Sequence, residues 1–68
     1  MSTPVRELTR LRVQAGFTEN RLAAQVGVQP KTIRLWEQGK AWPQSKNIPR
    51  LAAALGCSVA RVQAALDQ

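Results

Sequence analysis

The apolar residues of the chain recur at helical spacing, and the clearest stretch lies near its middle. Leu22, Ala23 and Val26 are spaced so that all three fall on one face of a helix. Thr18 precedes this stretch as an N-cap would, because its hydroxyl can accept a hydrogen bond from a backbone N–H of the first turn. Gly27 follows it and can adopt the left-handed conformation that commonly ends helices. The pattern therefore predicts a helix from the Thr18 cap to about Val26.

A second short helix is predicted directly after this glycine. Pro30 suits its first position, because the ring holds φ near the helical value and the missing N–H would have had no partner. Ile33 and Trp36 lie three residues apart, so they can share the buried face. We expect this helix to cover roughly residues 30–38 and to end at Gly39, with Trp36 in the core.

The two helices must approach each other closely at Ala23. This residue lies four positions before Gly27 on the apolar face, where a larger side chain would push the second helix away. The other face of the second helix, which carries Lys31 and Arg34, is left free to contact a ligand. Two short helices joined by a sharp glycine turn are typical of a protein that reads DNA.

A further helix is predicted near the N-terminus. Thr3 is its expected cap, Pro4 is its first residue, and Gly16 follows its last turn. Its apolar positions are Val5, Leu8, Leu11 and Val13.

Two more helices are predicted in the last third of the chain. Because proline breaks a helix interior, Pro49 is assigned to the first turn of a helix that Asn47 caps and Gly56 ends. Ser58 is the expected cap of the last helix. The apolar positions of that helix are Val59, Val62 and Leu66. The sequence thus predicts one all-α domain of five helices over residues 1–68, with the two-helix motif at about 18–38.

Four motifs occur in the chain with the order and spacing that they have in a known family. They are LxxLRxxxG at 8–16, LAxxxGV at 22–28, TIxxWExG at 32–39 and LAxALG at 51–56. In these motifs the chain resembles the Cro/cI-type helix-turn-helix repressors, also called the XRE family, of phages, plasmids and bacterial chromosomes. The resemblance implies a compact five-helix, lambda-repressor-like domain that binds a double-stranded DNA operator, regulates transcription and forms a homodimer.

Base contacts are expected from the second helix of the motif. If that helix lies in the major groove, the residues at its N-terminal end reach the base edges first. Lys31 and Arg34 only donate hydrogen bonds, so they suit the two acceptors of guanine. Gln29 could pair with adenine if capping leaves its side chain free, and Leu35 or the Thr32 methyl could touch a thymine methyl. For each residue, a phosphate contact or simple exposure to solvent is the alternative.

Phosphate contacts are expected, by the resemblance, at the start of helix two and in the loop after helix three. The matching residues are Asn20, Arg21, Gln38, Lys40, Gln44 and Lys46. The family also pairs the equivalents of Arg12 and Glu37 as ions, which would hold Arg12 near the DNA backbone. Glu19 departs from the glutamine that many relatives use to contact phosphate. Because a carboxylate repels DNA, we expect this contact to be lost or taken over by Asn20.

The charge balance agrees with a polyanionic partner. Ten Lys and Arg residues against four acids give a net charge of +6 and a pI near 11.3. A basic, merely solvated surface would have the same balance, so the motif decides in favour of DNA. No signal peptide or membrane span is indicated, and we expect a cytoplasmic, nucleoid-associated protein without metal or cofactor. The single thiol, Cys57, is interpreted as a core residue.

Trp42 lies in a polar loop outside any apolar period. It can fill a gap in its own core, pack against a second subunit, or lie against the sugar-phosphate backbone. Because related small repressors dimerise through this end of the domain, Trp42, Val59, Arg61 and Val62 form the candidate dimer surface.

The sequence leaves two other classes of function as alternatives. An antitoxin or adaptor of the same fold, with a protein as its main partner, is the first alternative to a DNA-binding regulator. An enzyme is the second, and the sequence disfavours it because the chain has no His and its few carboxylates are spread along helices.

Overall fold

Five α-helices, and no strand, are found in residues 7–67, the part of the chain that the structure, a computed structural model, describes. They are α1 Glu7–Gln14, α2 Glu19–Val26, α3 Pro30–Glu37, α4 Asn47–Leu55 and α5 Val59–Leu66. The predicted all-α, five-helix fold is thereby confirmed. The predicted cap Thr3, together with Pro4 and Val5, lies outside the described residues.

The turn between α2 and α3 follows from the residues on either side of it. Gly27 has a φ of 90°, and its N–H donates to the carbonyl oxygen of Ala23 at 2.8 Å. The N–H of Val28 donates to the same oxygen at 3.0 Å, which closes the end of α2. Pro30 begins α3, as predicted. A residue with a Cβ would be strained at a φ of 90°, so the sharp turn depends on Gly27.

The core is built from every helix. Its largest fully buried side chains are Leu8, Leu22, Val26, Ile33, Leu51 and Val62. Helix α2 packs against α3 and α4, and α5 packs against α4 and α1. Ala23 is 1% exposed and Trp36 is 3% exposed, so both predictions of core positions are confirmed. Cys57 is half-buried and packs at the edge of this core.

Val13 corrects the apolar pattern assigned to the first helix. Its side chain is 61% exposed, whereas Leu8 is 1% exposed and Leu11 packs against the core. Five residues along a helix correspond to a rotation of roughly 140° away from the starting position. Val13 is therefore carried off the face that Leu8 defines, so this apolar position of the predicted helix does not belong to the core.

The start of α4 also differs from the prediction by one residue. Lys46 is the N-cap, and Asn47 is already the first helical residue, buried at 8% exposure. The Asn47 N–H donates to the Gln44 carbonyl oxygen at 2.8 Å, so a tight turn winds the chain before the helix proper. Pro49 still falls in the first turn, where its missing N–H costs nothing. At the other boundary, α3 ends at Glu37 with Gln38 as its C-cap.

Candidate nucleic-acid interface

The outward face of α3 carries a stripe of polar side chains. Lys31, Arg34 and Gln38 recur at i, i+3 and i+7, and all three are exposed. The opposite face holds Ile33 and Trp36 in the core. Helix α3 is thus fixed by one side and presents two cations and an amide on the other.

The remaining candidate readers flank this stripe. Thr32 and Leu35 are half-buried, so each has part of its side chain at the surface. Gln29 is exposed at the N-cap of α3 and makes no capping hydrogen bond with its side chain. The amide of Gln29 is therefore free of the local contact that would have kept it from a base.

An ion pair links α1 to the C-terminal end of α3. Arg12 Nε donates to Glu37 Oε2 at 2.6 Å, and the two side chains are 14% and 7% exposed. Arg12 also donates from Nη1 to the carbonyl oxygen of Phe17 at 2.9 Å, while the Thr9 hydroxyl donates to Glu37 Oε1 at 2.9 Å. The predicted pair is confirmed. The N–H groups of Arg12 donate mainly to acceptors within the protein, so its contact with a phosphate stays a prediction.

All six other candidates for phosphate contacts are exposed side chains. They are Asn20, Arg21, Gln38, Lys40, Gln44 and Lys46. Thr18 caps α2 by accepting the Arg21 N–H at 3.1 Å. The N–H groups of Glu19 and Asn20 precede the first intrahelical hydrogen bond, so they can donate to an anion.

Ion pairing within the chain leaves most of the exposed cations uncompensated. Three of the four acids pair within the chain: Glu37 with Arg12, Glu19 with Arg34 and Glu7 with Arg61. Among residues 7–67, the cations outside these pairs are Arg10, Arg21, Lys31, Lys40, Lys46 and Arg50, all of them exposed. Four of these six lie between residues 18 and 46, in the two-helix motif and the loop that follows it.

The sequence did not predict the contact between Glu19 and Arg34. Arg34 Nη2 lies 3.3 Å from Glu19 Oε1, and the two residues are 15 positions apart. From the sequence alone, Glu19 is expected only to lose a phosphate contact. Opposite charges on consecutive helices were the available signal, but whether they meet depends on how α2 and α3 cross.

The candidate dimer surface changes in the structure. Val62 is 0% exposed, so the prediction that it contacts a second copy is wrong. It lies on the inner face of α5, where the helical period also brings Ala65 and Leu66 into the core. Val59 and Trp42 are 40% and 54% exposed, which excludes Trp42 as the filling of a gap in its own core.

Arg61, the fourth member of that surface, is engaged within the chain. Its Nη2 donates to Glu7 Oε2 at 2.7 Å, and its side chain is 51% exposed. Trp42 borders an open depression with Leu66 and Asp67 at the far end of α5 from Val59. Val59 and Leu66 lie about 10 Å apart along the axis of α5, so Val59 and the depression at Trp42 are at opposite ends of this helix.

Residues 7–67 contain no helix that is both long and apolar enough to cross a bilayer. Within the same residues, no group of three or more His, Cys, Asp or Glu side chains is arranged to hold a metal ion.

The fold and this surface define a helix-turn-helix DNA-binding domain, with α2 and α3 as its two helices. A family model described as helix-turn-helix matches residues 8–62. The chain belongs to this XRE-type helix-turn-helix family of DNA-binding transcription regulators, whose members are typically not enzymes. No curated protein matches the chain.

Proposed function

We propose that this regulator is a repressor that binds an inverted-repeat operator as a homodimer and occludes a promoter. The observation that carries the proposal is the outward face of α3, where Lys31, Arg34 and Gln38 stand clear of the core. A buried opposite face holds the helix rigidly, as readout of base edges requires. Such a function would bring the protein to the nucleoid.

The base contacts of the proposal come from the N-terminal part of α3. Lys31 and Arg34 donate to guanine N7 and O6, and Gln29 addresses adenine. Thr32 and Leu35 offer methyl groups to thymine from the edge of the stripe. The exposure of the polar members and the free Gln29 amide support these roles.

Phosphate contacts position α3 from both sides in this proposal. The residues assigned to them are Arg12, Asn20, Arg21, Gln38, Lys40, Gln44 and Lys46. Arg21, Lys40 and Lys46 are exposed cations outside the three ion pairs, which supports the assignment because phosphate attraction supplies most of the sequence-independent affinity.

The homodimer is proposed to form through Trp42 and Val59, with Arg61 at the rim. Both apolar side chains are largely exposed in the single chain. Two recognition helices of a dimer lie about 34 Å apart, on successive major grooves, which is why an inverted repeat is the expected operator. The same exposed tryptophan would also suit a different protein as partner, as in an antitoxin or adaptor.

Selection of binding sites from random duplex DNA tests the proposal, followed by titration of the selected site at several salt concentrations. An inverted repeat bound at least about 1000-fold more tightly than scrambled DNA is expected. Lys31→Ala should lower affinity by about 1–3 kcal/mol and relax one operator position. The matched variant Arg10→Ala, which removes an exposed cation of α1, should leave the preferences at every position unchanged.

Equal binding of all sequences, with a steep loss of affinity in salt, would leave only the phosphate attraction. That outcome would overturn the proposed operator-specific function and favour a protein partner.

A further inference from the structure

The carboxylate of Glu19 forms an ion pair with the predicted base-reading stripe of α3. Glu19 Oε1 accepts a hydrogen bond from Arg34 Nη2 at 3.3 Å, and the side chains of Glu19 and Arg34 are 28% and 58% exposed. The acid is therefore the more buried partner. It is also the first residue of α2, where a negative charge is favoured by the helix dipole whether or not arginine is present.

This ion pair is too exposed to contribute much to folding. Surface pairs gain little Coulomb energy, because water screens them and two long side chains must be immobilised. An acid on a surface that meets DNA also opposes binding to phosphate. The ion pair between Glu19 and Arg34 therefore adds little to the stability of the fold, and Glu19 lowers the general affinity for DNA. Its position on this surface needs another explanation.

The chemistry of Arg34 offers an explanation for the ion pair with Glu19. A free arginine on this surface has many rotamers, and it can satisfy its charge with either a phosphate or a guanine. The hydrogen bond to Glu19 uses only one edge of the guanidinium, and its other N–H groups remain available. Because the acid sits on the neighbouring helix, it restricts the direction in which those remaining donors point.

We propose that Glu19 is a positioning residue for base readout: it holds the Arg34 guanidinium toward the base edges and away from the phosphates. The inference rests on the proposed function, since it takes α3 to lie in the major groove. Glu19 then lowers the general affinity for DNA and raises the discrimination at the base pair that Arg34 reads. It is a determinant of specificity that acts through another side chain.

A double-mutant cycle on DNA tests this role. The operator position read by Arg34 is first located as the one that Arg34→Ala relaxes, where a bidentate contact gives roughly 5- to 150-fold discrimination. Glu19→Ala should then lower discrimination at that same position by about threefold or more. In the Arg34→Ala background, Glu19→Ala should change discrimination no further, because the side chain through which it acts is gone.

Two further readouts separate positioning from a structural role. Glu19→Gln keeps an oxygen that can accept from Arg34, so its discrimination should fall between those of the wild type and Glu19→Ala. Affinity for scrambled DNA should rise in Glu19→Ala, and its salt dependence should steepen by up to about one phosphate contact, as a released arginine reaches the backbone.

The matched control is Glu7→Ala. It removes the same charge and breaks the ion pair to Arg61, whose side chains are exposed to nearly the same extent, 25% for Glu7 and 51% for Arg61. This variant should raise affinity for all sequences by one common factor and leave discrimination at every position unchanged.

The outcomes distinguish this inference from the proposed function. If the wild type selects an operator but Glu19→Ala discriminates as the wild type does, only the positioning role is overturned. The same conclusion follows if Glu7→Ala relaxes the same position as Glu19→Ala. If Arg34→Ala relaxes no position, the base contact assigned to Arg34 and the positioning role both fail, while an operator selected by the wild type still supports the proposed regulator. If the wild type selects no operator at all, the proposed function fails and the positioning role fails with it.

Discussion

At the scale of single residues, the contact between Arg12 and Glu37 shows how one interaction can serve both the fold and the interface. Glu37 follows directly after the core residue Trp36, and its carboxylate accepts from Arg12 and from Thr9 of α1. The C-terminal end of α3 is thus linked to α1 by charge-assisted hydrogen bonds between side chains that are mostly buried. Breaking such a pair leaves an uncompensated buried charge.

Arg12→Ala should therefore lower the free energy of unfolding by about 3 kcal/mol or more. Urea denaturation measures this loss, and Glu37→Gln should show a loss of similar size. Arg61→Ala is the matched control, because it breaks the exposed pair with Glu7 and should cost less than about 1 kcal/mol. Equal losses in Arg12→Ala and Arg61→Ala would contradict the structural role assigned to the buried pair.

At the scale of the secondary-structure elements, one small buried side chain lies in α2, one helical turn before the turn to α3. Ala23 is 1% exposed and lies on the face of α2 that packs against its neighbours. Its carbonyl oxygen also accepts the two N–H groups that end the helix, from Gly27 and Val28. The buried Ala23 side chain and the hydrogen bonds that end α2 therefore lie within one helical turn of each other.

Ala23→Leu should destabilise the domain by about 1–3 kcal/mol, because three added carbon atoms must force apart a packed interface. Thermal and urea unfolding measure the effect, and DNA binding should fall only as far as the folded fraction falls. Ala24→Leu is the control, since the next residue of α2 is exposed and has room for a larger side chain. An Ala23→Leu protein that unfolds like the wild type would contradict the helix packing described above.

At the scale of the whole molecule, the two exposed apolar residues of the candidate dimer surface lie near opposite ends of α5. Val59 begins this helix, and Trp42 borders the depression that Leu66 and Asp67 line at its other end. Sixty-eight residues bury only a small core, so a second subunit would add apolar burial that the chain cannot provide alone.

Replacement of Trp42 and Val59 together by Ser should weaken the proposed homodimer by roughly thirtyfold or more, the effect expected when an aromatic anchor is lost. Sedimentation equilibrium measures the association, and cooperative binding to the two half-sites should be lost with it. Val13→Ser is the control, because Val13 is 61% exposed on a different helix. Unchanged sedimentation and cooperativity in the double variant would rule out this surface as the interface.

Most of the features that the sequence predicted correctly are local ones. The Thr18 and Ser58 caps, the left-handed Gly27 and the proline at the start of α3 all depend on backbone geometry within a few residues. The conformational preferences of each residue type act at that range, so the five helices and the turn could be derived without tertiary information. Two correct predictions were not local. The helical period of the apolar residues indicated the burial of Ala23 and Trp36, and the family resemblance implied the pairing of Arg12 with Glu37.

What the tertiary structure alone decided is which faces meet. Val13 and Val62 are both valines on amphipathic helices, yet one is 61% exposed and the other 0%, because only the packed helices define which side is inside. The contact between Glu19 and Arg34 likewise depends on how α2 crosses α3. By itself the sequence determined the helices, the turn and the family, since these follow from short-range preferences and spacing. Burial and long-range pairing are properties of the assembled chain, because they depend on side chains brought together from distant positions.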